Sequence, residues 1–244
     1  AKTAQLLADV EQAYDSFMFN GVYRAVYDFV NDLSSVYMDV TKDRLYAESH
    51  DSPRRRAVQT VLFNILEVLV RVLSPILSFT ADEVWECYPE AMRNREGRVC
   101  NVQLAGWPHS SDFVPALPGK LAEEKVLAAF GNALEVRDVV TKALEDARGA
   151  KVINKSQEAT VSVTAPQATL DALSAFDASV FEELFIVSGV TFAAGDELAS
   201  EVKPAEGDKC PRCWNYRELG GNANHADVCQ RCGDALDAIG FTEE

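Results

Sequence analysis

The chain has 244 residues, enough for two or three compact units that each bury a core. Hydrophobic side chains make up 48% and charged ones 25%, ordinary globular values that exclude disorder as a starting point, and no apolar run approaches the roughly 20 residues that cross a bilayer. The 23 basic and 38 acidic side chains give a formal charge of -15, spread as -4, -7 and -4 over residues 1-108, 109-200 and 201-244, so polyanion binding by the whole surface is excluded and any nucleic-acid site is a local basic patch.

In chain order, a first helix is expected near Thr3 to Phe17, closed by Asn20-Gly21. From there Val22, Val26, Phe29, Leu33, Val36 and Val40 recur in steps of four and three, one stripe on one helical face. Val58, Leu62, Ile65, Leu69, Val72 and Ile76 repeat the pattern in a second long helix, with Ser52-Pro53 as its N-cap and first position. Ser74-Pro75 is expected to kink or break it, and Thr80 with Glu83 offers a capping box for a short continuation through Trp85. Such stripes face a core, so residues 1-108 read as a helical bundle.

Gly106, Pro108, Pro115, Pro118 and Gly119 mark a linker over 109-119. Residues 120-198 then read as a small α+β module. Its helix is expected from about Leu121 to Arg148 with Gly149 as cap, followed by an alternating strand Ala159 to Ala165 that sets Val161 and Val163 on one face. Two short helices around Ala168-Phe176 and Ala178-Leu184 and a second strand over Phe185 to Phe192 complete it. The polar, acidic stretch Ala193 to Lys209 reads as a second linker, and 199-244 as the last domain.

Six cysteines are present, and their placement carries more than their number. Cys87 and Cys100 stand alone, whereas Cys210, Cys213, Cys229 and Cys232 form two C-x-x-C pairs fifteen residues apart, the spacing of a structural zinc site. Each pair aims two thiolates at one ion, and four thiolates close the coordination sphere against a catalytic water. Disulfides, a redox site and a rubredoxin-like iron site share the ligand set; without a visible export signal, a reducing cytoplasm favours zinc. His225 is expected at the surface, since four sulfurs already satisfy the ion.

Three segments carry a family resemblance: Phe29-Val-Asn-Asp-Leu-Ser-Ser-Val-Tyr-Met-Asp-Val-Thr-Lys-Asp-Arg-Leu-Tyr46, Leu73-Ser-Pro-Ile-Leu-Ser-Phe-Thr-Ala-Asp-Glu-Val-Trp85 and Val102-Gln-Leu-Ala-Gly-Trp-Pro108. They resemble the anticodon-binding region of class I isoleucyl-tRNA synthetases, and Lys209-Cys-Pro-Arg-Cys-Trp214 with Cys229 and Cys232 resembles the zinc finger ending the bacterial enzymes. The resemblance implies a mainly α, multidomain chain: a helical anticodon-binding bundle, a small α+β junction module and a C-terminal four-cysteine zinc finger. It also implies isoleucine tRNA and the catalytic domain of the same parent chain as partners, one structural zinc, a cytoplasmic setting and a monomer.

Neither a His-x-Gly-His motif nor a Lys-Met-Ser-Lys-Ser loop stands in the sequence, Asn154-Lys155-Ser156 being a distant echo of the second. ATP and magnesium therefore belong to the catalytic domain, and no catalysis is expected from this chain alone. The three histidines are scattered and form no active site.

RNA contact is expected where phosphates find concentrated positive charge and unstacked bases find planar groups. Arg54, Arg55 and Arg56, beside Lys42 and Arg44 across the inter-helix loop, form the densest basic cluster, and the zinc unit offers Arg212 and Trp214. Arg24 and Arg71 read as salt-bridge partners instead. A DNA-binding zinc module and a protein-interaction scaffold are the alternatives.

Overall fold

The computed structural model describes residues 1-93, 97-109, 111 and 123-241. The expected linker over 109-119 and the helix start at Leu121 lie almost wholly outside the described residues. The fold is mainly helical with small sheets, and it divides into two compact units: Ala1–Asp39 with Arg56–Leu117, and Val40–Arg55 with Pro118–Glu244.

In the first unit α1 (Lys2–Asp15) and α2 (Phe19–Asp32) share a core of Leu6, Leu7, Val10, Ala13, Val22 and Val26 with Val68 and Val72. The Tyr14 hydroxyl donates to the Val72 carbonyl at 2.8 Å, closing this core at its edge. Gly21 does not separate the helices as expected; the break falls at Ser16–Met18, where Phe17 takes φ 56°. Gly21 lies inside α2 because a Cβ there would come within 3.1 Å of the Ala13 Cβ, so the glycine permits close helix packing.

The apolar stripe of α2 does not run unbroken to Val40. Leu33–Met38 form a π-helical segment, and α3 (Asp39–Ala47) follows. Each residue adds about 100° of helical rotation, so the wider π turn re-aims the stripe. Val22 and Val26 therefore serve the core of the first unit, whereas Val40 packs in the second.

α4 (Pro53–Leu73) starts at the expected proline and ends before Ser74-Pro75. Ser52 does not cap it through its side chain; its hydroxyl bonds Glu48 at 2.5 Å instead. Val68 and Val72 enter the first core, while Val70 meets Ala81, Trp85, Tyr88 and Val102, so α4 buries two faces rather than one stripe. α5 (Ser78–Glu86) begins ahead of Thr80, with Leu77 at the N-cap position and no side-chain cap. A short α6 (Glu90–Arg93) follows.

In the second unit α7 (Glu123–Gly149) packs on a three-stranded sheet. Gly149 still belongs to the helix, and the left-handed residue that ends the turn is Lys151, φ 58°. β1 (Ala159–Ala165) is central, and its alternate residues Ala159, Val161, Val163 and Ala165 are buried, as alternation demands. After α8 (Gln167–Leu173) and α9 (Ala178–Phe185), β2 (Gly189–Ala194) pairs parallel to β1. β2 starts later than Phe185 because Phe181, Leu184 and Phe185 form the apolar face of α9 and Ile186 turns left-handed at φ 58°. β3 (Ala199–Pro204) pairs antiparallel to the other edge of β1, so the stretch expected as a second linker contains a strand. Glu201 and Lys203 face solvent at a sheet edge, while Ser200 donates to the Val139 carbonyl at 3.4 Å and Leu198 and Val202 pack on the core.

Phe181 is 2% exposed and meets the rings of Phe176, Phe185 and Phe192. Phe181→Ala is expected to cost about 3 to 5 kcal/mol, the range for emptying a buried aromatic site, read from urea unfolding of the chain.

Candidate metal centre and nucleic-acid interface

Residues 205-241 bury few large side chains, so a different interaction must order them. β4 (Asp208–Lys209) and β5 (Tyr216–Arg217) make a two-stranded ribbon whose turn carries Cys210 and Cys213. Cys229 sits at the N-cap of α10 (Gln230–Ala238), and Cys232 lies one turn in. All four sulfurs are buried and within 4.8 Å of one another, with Cys213 and Cys229 at 3.8 Å. A tetrahedral Zn–S bond of about 2.3 Å sets sulfurs about 3.8 Å apart, so the donor set fits that ion in kind and spacing. Crowding splits the proton affinities: Cys213 is drawn down to about 4 by the hydrogen bond from Cys232, which is itself pushed up by that bond and by burial, as Cys229 is by burial. A divalent cation replaces those shared protons with one charge that all four sulfurs see.

Three other features hold the module. Gly233 lies in α10, where a Cβ would approach the Asn222 Cβ at 2.5 Å; that closeness lets the buried Asn222 amide reach Asp234 at 3.0 Å and Asp237 at 2.7 Å. His225 is buried rather than at the surface, its ring 3.3 Å from Asp237 and beside Phe241, apart from the sulfur cluster. Ala47 of α3 packs into the cysteine cluster with Val228, Leu219 and Leu236.

Both knuckle arginines reach α3. Arg231, between Cys229 and Cys232, grips the Asp43 carboxylate with two nitrogens, one contact at 2.8 Å. Arg212 donates to the Ala47 carbonyl at the end of the same helix. One of its donors is thus engaged within the protein.

Most of the basic residues of α3 and α4 are engaged within the protein. Arg44 donates Nε and Nη2 to Glu183 at 2.8 and 2.6 Å, and Arg54 pairs with the same carboxylate and with Glu48 at 3.3 Å. The Glu183 side chain is 10% exposed, so its two cations offset a costly burial. Arg55 reaches the Glu48 carbonyl at 3.4 Å. Lys42 and Arg56 are exposed.

Trp214 is half exposed and stands outside the cluster that surrounds the cysteines. It adopts φ 67°, a conformation that costs a bulky residue on the order of 1 to 3 kcal/mol. Two backbone bonds hold it there, Trp214 N–H to the Cys210 carbonyl and Cys210 N–H to the Asn215 carbonyl, both 2.9 Å. Lys155 and Lys209 place their ammonium groups 5.1 and 5.4 Å from the ring centre. Sequence reading missed this pair: Lys209 adjoins Cys210, but Lys155 comes from ahead of β1, and only the fold brings it to the ring.

Comparison with known proteins sets this geometry in context. Residues 1-163 match the family described as the anticodon-binding domain of tRNA ligase. The chain belongs to that family. Residues 207-234 match the zinc finger found in FPG and IleRS, which includes all four cysteines. Among curated relatives, the isoleucine--tRNA ligase of Geobacillus kaustophilus is 40% identical over 246 residues, covering 95% of this chain and 25% of that protein. The isoleucine--tRNA ligases of Kosmotoga olearia, 36% identical over 252 residues (100% of this chain, 26% of that protein), and Syntrophotalea carbinolica, 38% over 245 (95% and 25%), match similarly. The chain spans about a quarter of the length of these relatives. No helix among the described residues is long and apolar enough to cross a membrane.

The zinc finger is expected to hold one zinc per chain. Chelation should remove the order of residues 205-241 with a partial loss of far-ultraviolet circular dichroism, and Cys229→Ser should lower zinc content under a competing chelator. Metal analysis alongside the spectra checks both.

Proposed function

We propose that this chain is the tRNA-recognising part of an isoleucine-tRNA ligase, divided into a helical anticodon-binding domain (1-108), linker (109-119), junction module (120-198) and zinc-finger domain (199-244). The isoleucine--tRNA ligase relatives and the anticodon-binding family support the reading. The observation that carries it at residue level is Trp214, a strained, half-exposed ring on a metal knuckle with two ammonium groups beside it.

Zinc, held by Cys210, Cys213, Cys229 and Cys232, supplies a rigid turn and takes no part in chemistry. The turn fixes Trp214 so that an unstacked anticodon base can lie on its face without first ordering the side chain. Lys155 and Lys209 then meet the adjoining phosphates, and the donors of Arg212 not used on Ala47 meet a base edge or a phosphate. Lys42 of α3 and Arg56 of α4 each add a phosphate contact. Arg44, Arg54 and Arg55 contribute by holding that loop in shape through Glu183 and Glu48. Amino-acid activation with ATP and magnesium belongs to the catalytic domain of the same parent chain, and the setting is a cytoplasmic monomer.

Filter binding of the 244-residue chain to isoleucine tRNA, an unrelated tRNA and duplex DNA tests the reading. Preference for isoleucine tRNA is expected; equal or tighter binding to duplex DNA would favour a DNA-binding zinc module, and no salt-sensitive RNA affinity a protein scaffold. Stacking on an aromatic contributes roughly 1 to 3 kcal/mol per base, so Trp214→Ala should weaken cognate binding about ten- to a hundredfold with zinc content unchanged. Replacing Lys155 and Lys209 together with alanine should lower the salt slope of log affinity by about 1.4, two phosphate contacts at the single-strand value. Arg54→Ala should act on stability and leave that slope in place.

A further inference from the structure

Two turns distant in the chain meet at one end of the first unit. The Tyr14 hydroxyl on the Val72 carbonyl brings the close of α1 beside the close of α4, so the α1–α2 turn and the stretch after α4 share that end. Both leave large apolar side chains open: Phe17, Met18 and Phe19 from the first, Ile76, Leu77 and Phe79 from the second. Phe17 is 79% exposed and Phe79 93%. An aromatic side chain carries about 150 to 250 Å², so the six together expose on the order of 600 Å². The largest apolar patch on a typical monomer is about 300 to 600 Å² and is often functional.

Charge is missing from the same place. Charged residues make up 25% of the whole chain, yet residues 16-23 and 72-81 contain none. Phosphate contact needs cations, so this end is unsuited to RNA. The backbone adds an independent observation. Phe17 takes φ 56°, a conformation in which glycine or asparagine would close a helix at less cost, and its N–H bonds the Tyr14 carbonyl at 3.0 Å. That strained turn sends the ring outward, where its ring neighbour among the described residues is Phe19, itself exposed.

We propose that this end of the first unit docks an uncharged, apolar face of the remaining part of the parent ligase chain, the part that carries the catalytic domain. The inference rests on the parent-chain reading given above. Length supplies the occupant: the chain spans 25% of a relative's sequence, so about three quarters of such a protein lies outside these residues. A patch of this size on each partner falls within the roughly 600 to 1,500 Å² of interfaces between domains of one chain. Burial there would return to Phe17 the contacts that its strained backbone forgoes in the 244 residues alone.

Hydroxyl-radical footprinting with mass spectrometry reads side-chain exposure directly, and it is run on the 244-residue chain and on the full-length parent ligase, both without tRNA. Phe79 and Met18 are expected to react at least about fivefold more slowly in the full-length ligase, while Trp214 keeps its rate. Phe79→Ser should leave the urea midpoint of the 244-residue chain in place and lower the first thermal transition of the full-length ligase. Charging of isoleucine tRNA by the same full-length preparation decides the parent-chain reading by itself; without charging, that reading falls and takes the inference with it. In a ligase that charges, unchanged rates at Phe79 and Met18 overturn the docking inference alone. Protection of these residues in the 244-residue chain that grows with its own concentration, the mark of a second copy, or that follows addition of isoleucine tRNA, the mark of an RNA contact, overturns it equally.

Discussion

The order of residues 205-241 depends on four sulfurs meeting at one point. Beyond the cysteines, the buried apolar contribution there comes from Val228 and Ala235, with Leu219 and Leu236 partly covered, too little to offset the conformational entropy of so many residues. Metal binding free energy is folding free energy in such a module. Everything attached to the knuckles inherits that dependence, including the strained backbone of Trp214 and the two arginines that reach α3.

That dependence extends outward through charge. Asp43 and the Ala47 carbonyl lie four residues apart on α3, on one face, and each accepts from the arginine of a different knuckle. A few residues on, Arg44 and Arg54 converge on Glu183 of α9. The segment Val40–Arg55 is thus fixed from two directions within its unit, by the zinc module and by the α+β module. These pairs are worth more for the arrangement they specify than for net stability, because each buried charge costs nearly what its partner returns. Arginines that look from the sequence like a phosphate-binding cluster are largely occupied in intramolecular pairs that shape this segment.

What the sequence disclosed divides along the same line. Patterns that a local element enforces were legible: the alternation over Ala159–Ala165, the start of α4 at Pro53, its end at Ser74-Pro75, and the cysteine spacing. Features decided by distant partners were not. β3 reads as a polar linker because an edge strand needs only one apolar face and draws its hydrogen bonds from β1. Gly21 looked like a breaker because nothing local reveals Ala13 across the helix pair. The π turn at Leu33–Met38 is invisible to a count of apolar steps, since the stripe continues while the faces rotate. Basic residues were countable, yet whether each faces a carboxylate or water is a property of the fold, as the contrast between Arg54 and Arg56 shows.

A net charge of -15 then acquires a meaning beyond solubility. Nonspecific binding to nucleic acid scales with the number of phosphates neutralised, and a surface that repels most of a polyanion suppresses it at every wrong register. On the proposed reading, affinity is left to the few places where cations stand beside an exposed planar group. In that reading Trp214 with Lys155 and Lys209 is such a place: its strained backbone sits on the cysteine knuckle, its ring is half exposed rather than folded onto the cysteines, and its two cations come from separate stretches of the second unit. Repulsion over the whole surface and attraction at a point would then, on the proposed reading, together favour one docking geometry, so discrimination against wrong partners would come as much from the acidic background as from the contacts themselves.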